Sequence, residues 1–188
     1  MMNSFLQALN KPVDAFKEKN KWIAWGLVSV TILINTVFEP LLRFFSDAID
    51  YKIDMLHLLI ISVLGICSYF AICLVIWIVS KCFGSRTKFK VHIDTWGLSY
   101  FPTILCSFVV IITEVYYYFF WNSILWGMIL SILFVGILLW KSVLFVIYLR
   151  EIAGLKRGKV IGAFVLIGVF IVLLAMANGY AGLKTPVL

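Results

Sequence analysis

Five long runs of apolar residues, separated by short polar segments, dominate the chain. Each run is at least about 17 residues long and nearly free of charge, which suits an α-helix that crosses the hydrocarbon core of a bilayer. The runs lack the apolar and polar alternation of membrane barrel strands, and in lipid a helix satisfies its own backbone hydrogen bonds. The pattern therefore predicts an all-α polytopic membrane protein with a bundle of five transmembrane helices, at about residues 22–38, 55–80, 96–112, 123–149 and 160–177.

The composition excludes a water-soluble domain. Hydrophobic residues make up 63% of the chain and the mean hydropathy is +1.06, whereas soluble domains contain about 45–50% apolar residues. A chain of 188 residues cannot hide that much apolar surface from water.

The first span is expected to end at the Glu39-Pro40 pair. A secretory signal peptide is not expected, because the first apolar run begins near residue 22, after a mixed-charge segment.

The positive charges are distributed asymmetrically. Twelve of the 16 Lys and Arg residues lie in the segments 11–21, 81–90 and 150–159, which a five-span topology places on one side of the membrane. Short loops rich in Lys and Arg stay cytoplasmic, so the N-terminus is predicted to be cytoplasmic and the C-terminus outside. The net charge of +7 indicates contact with anionic lipids at the inner face. Nucleic acid is not an expected partner, since no soluble region is long enough for a binding module.

The chain divides into two parts. Residues 1–21 form a cytoplasmic N-terminal segment, and residues 22–188 form the five-helix membrane domain. Phe5, Leu9, Val13 and Phe16 follow a near-helical spacing beside four lysines, with Pro12 as an interruption. Two alternatives remain for this segment: a helix that lies on the inner membrane surface, or a disordered leader.

Motifs of the common enzyme classes are missing from the sequence. There is no HExxH metal motif, no GxSxG nucleophile motif and no Gly-rich phosphate loop. The four cysteines form no CxxC pair, and the two histidines, His57 and His92, lie near opposite faces. We therefore expect no catalytic residues, no metal site and no cofactor.

Lys141 is a charged residue inside the fourth span. It lies about nine residues from the inner end of that span, so at about 1.5 Å per residue it is roughly 13 Å deep. A lysine at this depth costs about 2.5–3.5 kcal/mol on insertion scales. It either faces the bundle interior and holds an acidic partner, an anionic lipid or a solute, or it extends toward the inner surface. By depth, Asp94 is the nearest acidic candidate.

A narrow polar stripe marks the third span. Ser99, Thr103 and Ser107 recur every four residues and so share one helix face. Pro102 lacks a backbone donor and is predicted to kink the helix, with Ser99 placed to satisfy a freed carbonyl. Two pairs of small residues spaced by four could let helices approach closely, Gly127 with Ser131 and Gly158 with Gly162. Packing is the simpler role of all these residues, and a ligand path is the alternative.

An aromatic run lies at the predicted outer end of the third span. Amphipathic rings concentrate at membrane interfaces, so an aromatic belt is the simpler interpretation and a substrate groove the alternative. The third helix either ends near Glu114 or continues to Trp121. The rings in question belong to Tyr116, Tyr117, Tyr118, Trp121 and Trp126.

Several short motifs resemble those of the YIP family, the Ypt/Rab-interacting polytopic membrane proteins, in a compact bacterial form. The resemblance covers most of the chain. It rests on "NKPVDAFKE" with Pro12, Ala15 and Phe16 ahead of Trp22, "KCFG" with Phe83 and Gly84, "WGLSYFP" with Gly97, Ser99 and Pro102, and "LREIAGLKRGKVIGAF" between the last two spans. Leu98 departs from the tyrosine that is usual after the glycine of the third helix, and Lys141 is not part of the family pattern.

The resemblance implies five membrane helices with a cytoplasmic N-terminus, in agreement with the charge distribution. It also implies a non-enzymatic membrane protein that acts through other membrane proteins, as a trafficking, export or envelope-associated scaffold, with a protein partner or a second copy of itself. The short N-terminus lacks the long cytoplasmic domain of eukaryotic members, so Rab binding is not expected. The alternative is lipid handling or small-solute transport through Lys141 and the polar stripe. A bacterial plasma membrane is the expected location.

Overall fold

The computed structural model of the protein describes residues 12–46, 54–156 and 158–180. These residues are almost entirely helical, and the described ranges contain no strand. We number the helices in chain order: α1 Pro12–Glu18, α2 Lys21–Phe45, α3 Met55–Cys82, α4 Phe89–Trp96, α5 Phe101–Val115, α6 Tyr117–Trp121, α7 Ile124–Glu151 and α8 Gly158–Tyr180.

Four of these helices are long and apolar enough to cross a membrane: α2, α3, α7 and α8. A fifth span is possible if α4 and α5 are counted together, since Phe89–Ser99 and Phe101–Val115 pass the same test as a pair bent by 51°. Many large apolar side chains are exposed on the outer helix faces, for example Ile132 at 74% and Ile161 at 68%, as suits a surface in contact with lipid. The prediction of an all-α polytopic membrane protein is confirmed.

Helix α2 continues beyond the Glu39-Pro40 pair at which it was expected to end. It runs to Phe45 because a π-helical turn, Ile34–Phe38, lies immediately before the proline. In a regular α-helix the Pro40 ring would clash with the carbonyl of Thr36, and the wider turn relieves that clash. Glu39 and Arg43 then form an ion pair at 2.9 Å one turn further on.

The core lies where α3, α4, α7 and α8 meet. Its largest fully buried side chains are aromatic, and their rings pack edge to face. The Trp96 ring, for example, lies 4.9 Å from that of Tyr148 and 5.4 Å from that of Phe145. Tyr69 donates a hydrogen bond from its hydroxyl to the carbonyl of Ile93 at 2.5 Å, which ties α3 to α4.

The N-terminal helix α1 packs against the C-terminal end of α7. Phe16 is only 1% exposed and its ring lies 5.6 Å from that of Tyr148, while Lys17 and Glu151 are 4.0 Å apart. Pro12 is the first described residue of α1, and proline is favoured in the first turn of a helix because its missing N–H has no helical partner to lose there. Phe5 and Leu9 lie outside the described residues.

The aromatic run is not a continuation of the third span. Helix α5 ends at Val115, and one further turn, α6, contains part of the run. The Tyr118 side chain is 86% exposed and that of Trp121 is 45% exposed. These exposed rings suit an interfacial belt.

Candidate functional site

Lys141 is buried in α7 with 6% of its surface exposed. Its Nζ donates hydrogen bonds to the Ser99 carbonyl oxygen at 2.8 Å, to Thr103 Oγ1 at 2.9 Å and to Ser99 Oγ at 3.3 Å. An ammonium group carries three N–H donors, so these three oxygens match its donors in number. The side chain therefore crosses from α7 to the junction of α4 and α5 and does not extend toward the membrane surface.

Two aromatic faces complete the surroundings of this ammonium group. Nζ lies 4.7 Å from the ring centroid of Tyr100 and 5.1 Å from that of Trp96, and both rings are almost fully buried. A cation over a desolvated aromatic ring gains about 2 kcal/mol. We call the group formed by Trp96, Ser99, Tyr100 and Thr103 around Lys141 the lysine cage.

The cage depends on a break in the chain between α4 and α5. A 3-10 turn, Gly97–Ser99, follows α4, and α5 starts at Phe101 with Pro102 in its first turn. Pro102 therefore begins a new helix, whereas a kink within a continuous helix was predicted. Ser99 Oγ donates to the Trp96 carbonyl at 2.9 Å, and Lys141 binds the Ser99 carbonyl. Lys141 thus supplies a donor at a point where the helical ladder is interrupted.

Ser107 extends the polar stripe toward α2. Its hydroxyl donates to the Thr103 carbonyl at 2.9 Å and accepts a long hydrogen bond of 3.5 Å from Asn35 Nδ2. Asn35, which lies in the π-helical turn of α2, also donates to the Thr31 carbonyl at 3.0 Å. Sequence reasoning missed Asn35, although an amide inside an apolar run is a detectable signal.

The structure does not bring Asp94, the nearest acidic candidate by depth, to Lys141. The Asp94 carboxylate accepts a hydrogen bond of 3.5 Å from Trp25 Nε1. Two residues along a helix are about 200° apart, so Asp94 and Trp96 lie on opposite faces of α4. Within residues 12–46, 54–156 and 158–180, no carboxylate forms an ion pair with Lys141.

A groove of about 250 Å³ opens beside the lysine cage between α5 and α7. Its walls are largely apolar and Lys141 contributes to its lining. Val135 and Leu138 on the α7 side are 56% and 49% exposed, so the groove faces the lipid. The lining includes Pro102, Cys106, Phe134, Val135, Leu138 and Lys141.

A second buried polar pair lies nearer the C-terminal end of α7. His92 Nδ1 and the Tyr148 hydroxyl are 2.7 Å apart, and both side chains are fully buried. His92 Nε2 is buried without a hydrogen-bond partner in the part of the chain that the structure describes. Sequence reasoning missed this pair, because Tyr148 lies in an apolar run and its phenol gives no periodic signal.

The helices and the buried cation define a polytopic α-helical membrane protein. Residues 6–177 match the Yip1 domain, so the chain belongs to the Yip1 family. The family predicted from the sequence motifs is therefore confirmed. No curated protein and no solved structure matched the chain.

Proposed function

We propose that this Yip1-family protein is a non-enzymatic integral membrane protein that acts through contacts with other membrane proteins, as a trafficking, export or envelope-associated scaffold. In this proposal its N-terminus is cytoplasmic, its C-terminus is outside, and it resides in a bacterial plasma membrane. The charge distribution supports the orientation, since loops rich in Lys and Arg remain on the cytoplasmic side.

One observation carries the proposal: an unoccupied small-residue face on α7. A Cβ atom added at Gly127 would meet no described atom within 4 Å, and Ser131, one turn on, is exposed. The Ser131 hydroxyl donates to the Gly127 carbonyl at 2.8 Å, so it needs no further partner in lipid. Small residues spaced by four let a second helix approach closely.

In the other small-residue pair, Gly162 is already used within the chain, whereas a Cβ atom added at Gly158 would meet no described atom within 4 Å. A Cβ atom at Gly162 would lie 2.8 Å from Phe83 Cε1, so this glycine accommodates the Phe83 ring. The Gly127 face therefore differs from the Gly162 face in having no neighbour among the described residues. A helix of a partner protein or of a second copy fits this vacant face.

The test is photo-crosslinking in native membranes from a benzophenone side chain at Met128, which is 55% exposed beside Gly127. We expect one discrete protein adduct, with its yield reduced about tenfold by Gly127→Ile, as for a loss of about 1.4 kcal/mol of helix contact. Gly168→Ile on α8, where a Cβ also meets nothing within 4 Å, is the matched control and is expected to leave the yield unchanged. Absence of an adduct, or equal yields from the two variants, would contradict the proposal.

The groove beside Lys141 favours a second candidate, the binding of a lipid or small acidic solute. A cation without a paired carboxylate in the described ranges lies beside an apolar groove, and its field favours an anion there. We expect native mass spectrometry of the purified protein to show an acidic lipid or solute at a 1:1 ratio. Val135→Trp should remove at least nine-tenths of it by filling the groove.

Val143→Trp is the control for this second candidate. Val143 lies on the same helix with the same 56% exposure as Val135, but it is not among the groove residues. A bound molecule that is lost equally from both variants, or from neither, would exclude the groove as its site.

A further inference from the structure

A second groove lies at the inner boundary of the bundle, where α7 ends and α8 begins. Its volume is about 580 Å³, within the range of about 300–1,000 Å³ that is usual for sites that bind small molecules. Residues of both helices and of their connection line it: Val146, Arg150, Leu155, Lys156, Val160 and Ile161.

The groove combines an apolar floor with two positively charged side chains. Leu155 and Val160 form a buried apolar floor, and Ile161 extends it to the lipid-facing surface with 68% exposure. Arg150 and Lys156 supply the charge of the groove, and both are exposed. Cations therefore lie next to an apolar surface that continues into the membrane.

The two cations are available to a ligand. Neither forms an ion pair in the part of the chain that the structure describes. Glu151, the acidic neighbour of Arg150, lies 4.0 Å from Lys17 of α1. No described carboxylate therefore neutralises the charge of the groove.

We infer that this groove binds one anionic phospholipid. The phosphate lies against Arg150 and Lys156, and an acyl chain follows Val160 and Ile161 into the membrane. An arginine matches a phosphate in a bidentate geometry, and a nearby lysine adds a second positive charge. A soluble acidic peptide would satisfy the cations but would leave the apolar wall without a partner. This inference goes beyond the proposed protein contacts, which involve the Gly127 face of α7.

The test compares phosphatidylglycerol with phosphatidylcholine of the same acyl chains, titrated onto the purified full chain in mild detergent and counted by native mass spectrometry. We expect one phosphatidylglycerol to bind preferentially, and the preference to weaken at high salt. The double variant Arg150→Gln/Lys156→Gln should bind it about 25-fold more weakly, because each cation beside an anionic lipid contributes about fivefold.

Lys88→Gln/Lys90→Gln is the matched control, because it removes the same charge from exposed positions outside the groove. It should retain the phosphatidylglycerol preference. Equal binding of the two lipids by the unmodified protein, or the same loss in both double variants, would overturn the inference. So would a groove variant that keeps its lipid but loses an acidic protein from cross-linked membranes.

Discussion

Replacing Lys141 by leucine is expected to weaken the packing of the helix bundle by about 3 kcal/mol. Two effects compete. Leucine is easier to place in lipid, which favours insertion of the isolated α7 helix. In the folded bundle, however, the ammonium group has three oxygen acceptors and two aromatic faces, and the variant loses all of them.

The loss of packing is expected to dominate, because the reference for bundle formation is a set of helices already inserted in the membrane. A lysine exposed to lipid at mid-depth costs about 2.5–3.5 kcal/mol, and packing into the cage relieves that cost. Leucine has no such cost to relieve. It also removes the hydrogen bond from α7 to the Ser99 carbonyl, and the loss of a buried hydrogen bond is destabilising.

The measurement is an SDS titration of the purified protein in mixed micelles, followed by tryptophan fluorescence. Lys90→Leu is the control, since Lys90 is exposed and contributes a similar side chain without a cage. We expect the midpoint of Lys141→Leu to fall and that of Lys90→Leu to stay within about 0.5 kcal/mol of the unmodified protein. A Lys141→Leu bundle as stable as the original would mean that the cage contributes nothing to packing.

Gly97→Ala is expected to destabilise the bundle by about 3 kcal/mol or more, near the upper end for overpacked sites. A Cβ atom at Gly97 would overlap the Ala24 carbonyl oxygen and lie 2.8 Å from the Ala24 carbonyl carbon and 2.9 Å from Val28 Cγ2. The first two of these atoms belong to the backbone of α2, so they cannot move as a flexible side chain does. Helix α2 would have to move away from the turn that carries the lysine cage.

The same SDS titration measures this variant, together with its yield from membranes. Gly136→Ala is the matched control, because a Cβ there meets nothing within 4 Å. It should be neutral or stabilise α7 by up to about 1 kcal/mol, as alanine is the better helix former. Similar destabilisation by both substitutions would show that the close contact with Ala24 is not the cause.

The membrane spans follow from the sequence because the bilayer imposes length and hydrophobicity on any helix that crosses it. Helix α3, Met55–Cys82, was predicted at 55–80, and α7, Ile124–Glu151, at 123–149. Interruptions were harder to locate. Pro102 and Pro40 each signal an interruption, but a proline does not tell whether the helix ends or continues through a wider turn, so the continuation of α2 past Pro40 was missed.

The site could be predicted only in part, for a geometric reason. Depth along the span identifies Lys141 as an unusual charge, and periodicity places Ser99 and Thr103 on one face. Neither the depth of a residue nor the periodicity of a helix shows which neighbouring helix a given face contacts. Asp94 was therefore selected by depth although it points to Trp25, while the Tyr100 ring, which does meet the ammonium group, was not selected.

The break between α4 and α5 also has a consequence for biogenesis. Lys141 lies 42 residues after Ser99 in the chain, so the ribosome synthesises Ser99 first. During that interval the residues of α4 and α5 are already made, but the hydrogen bond that α7 donates to the Ser99 carbonyl cannot yet form. We therefore expect α4 and α5 to reach their final position in the membrane only after α7 has been inserted. In this step, an earlier part of the chain depends on a part that is synthesised later.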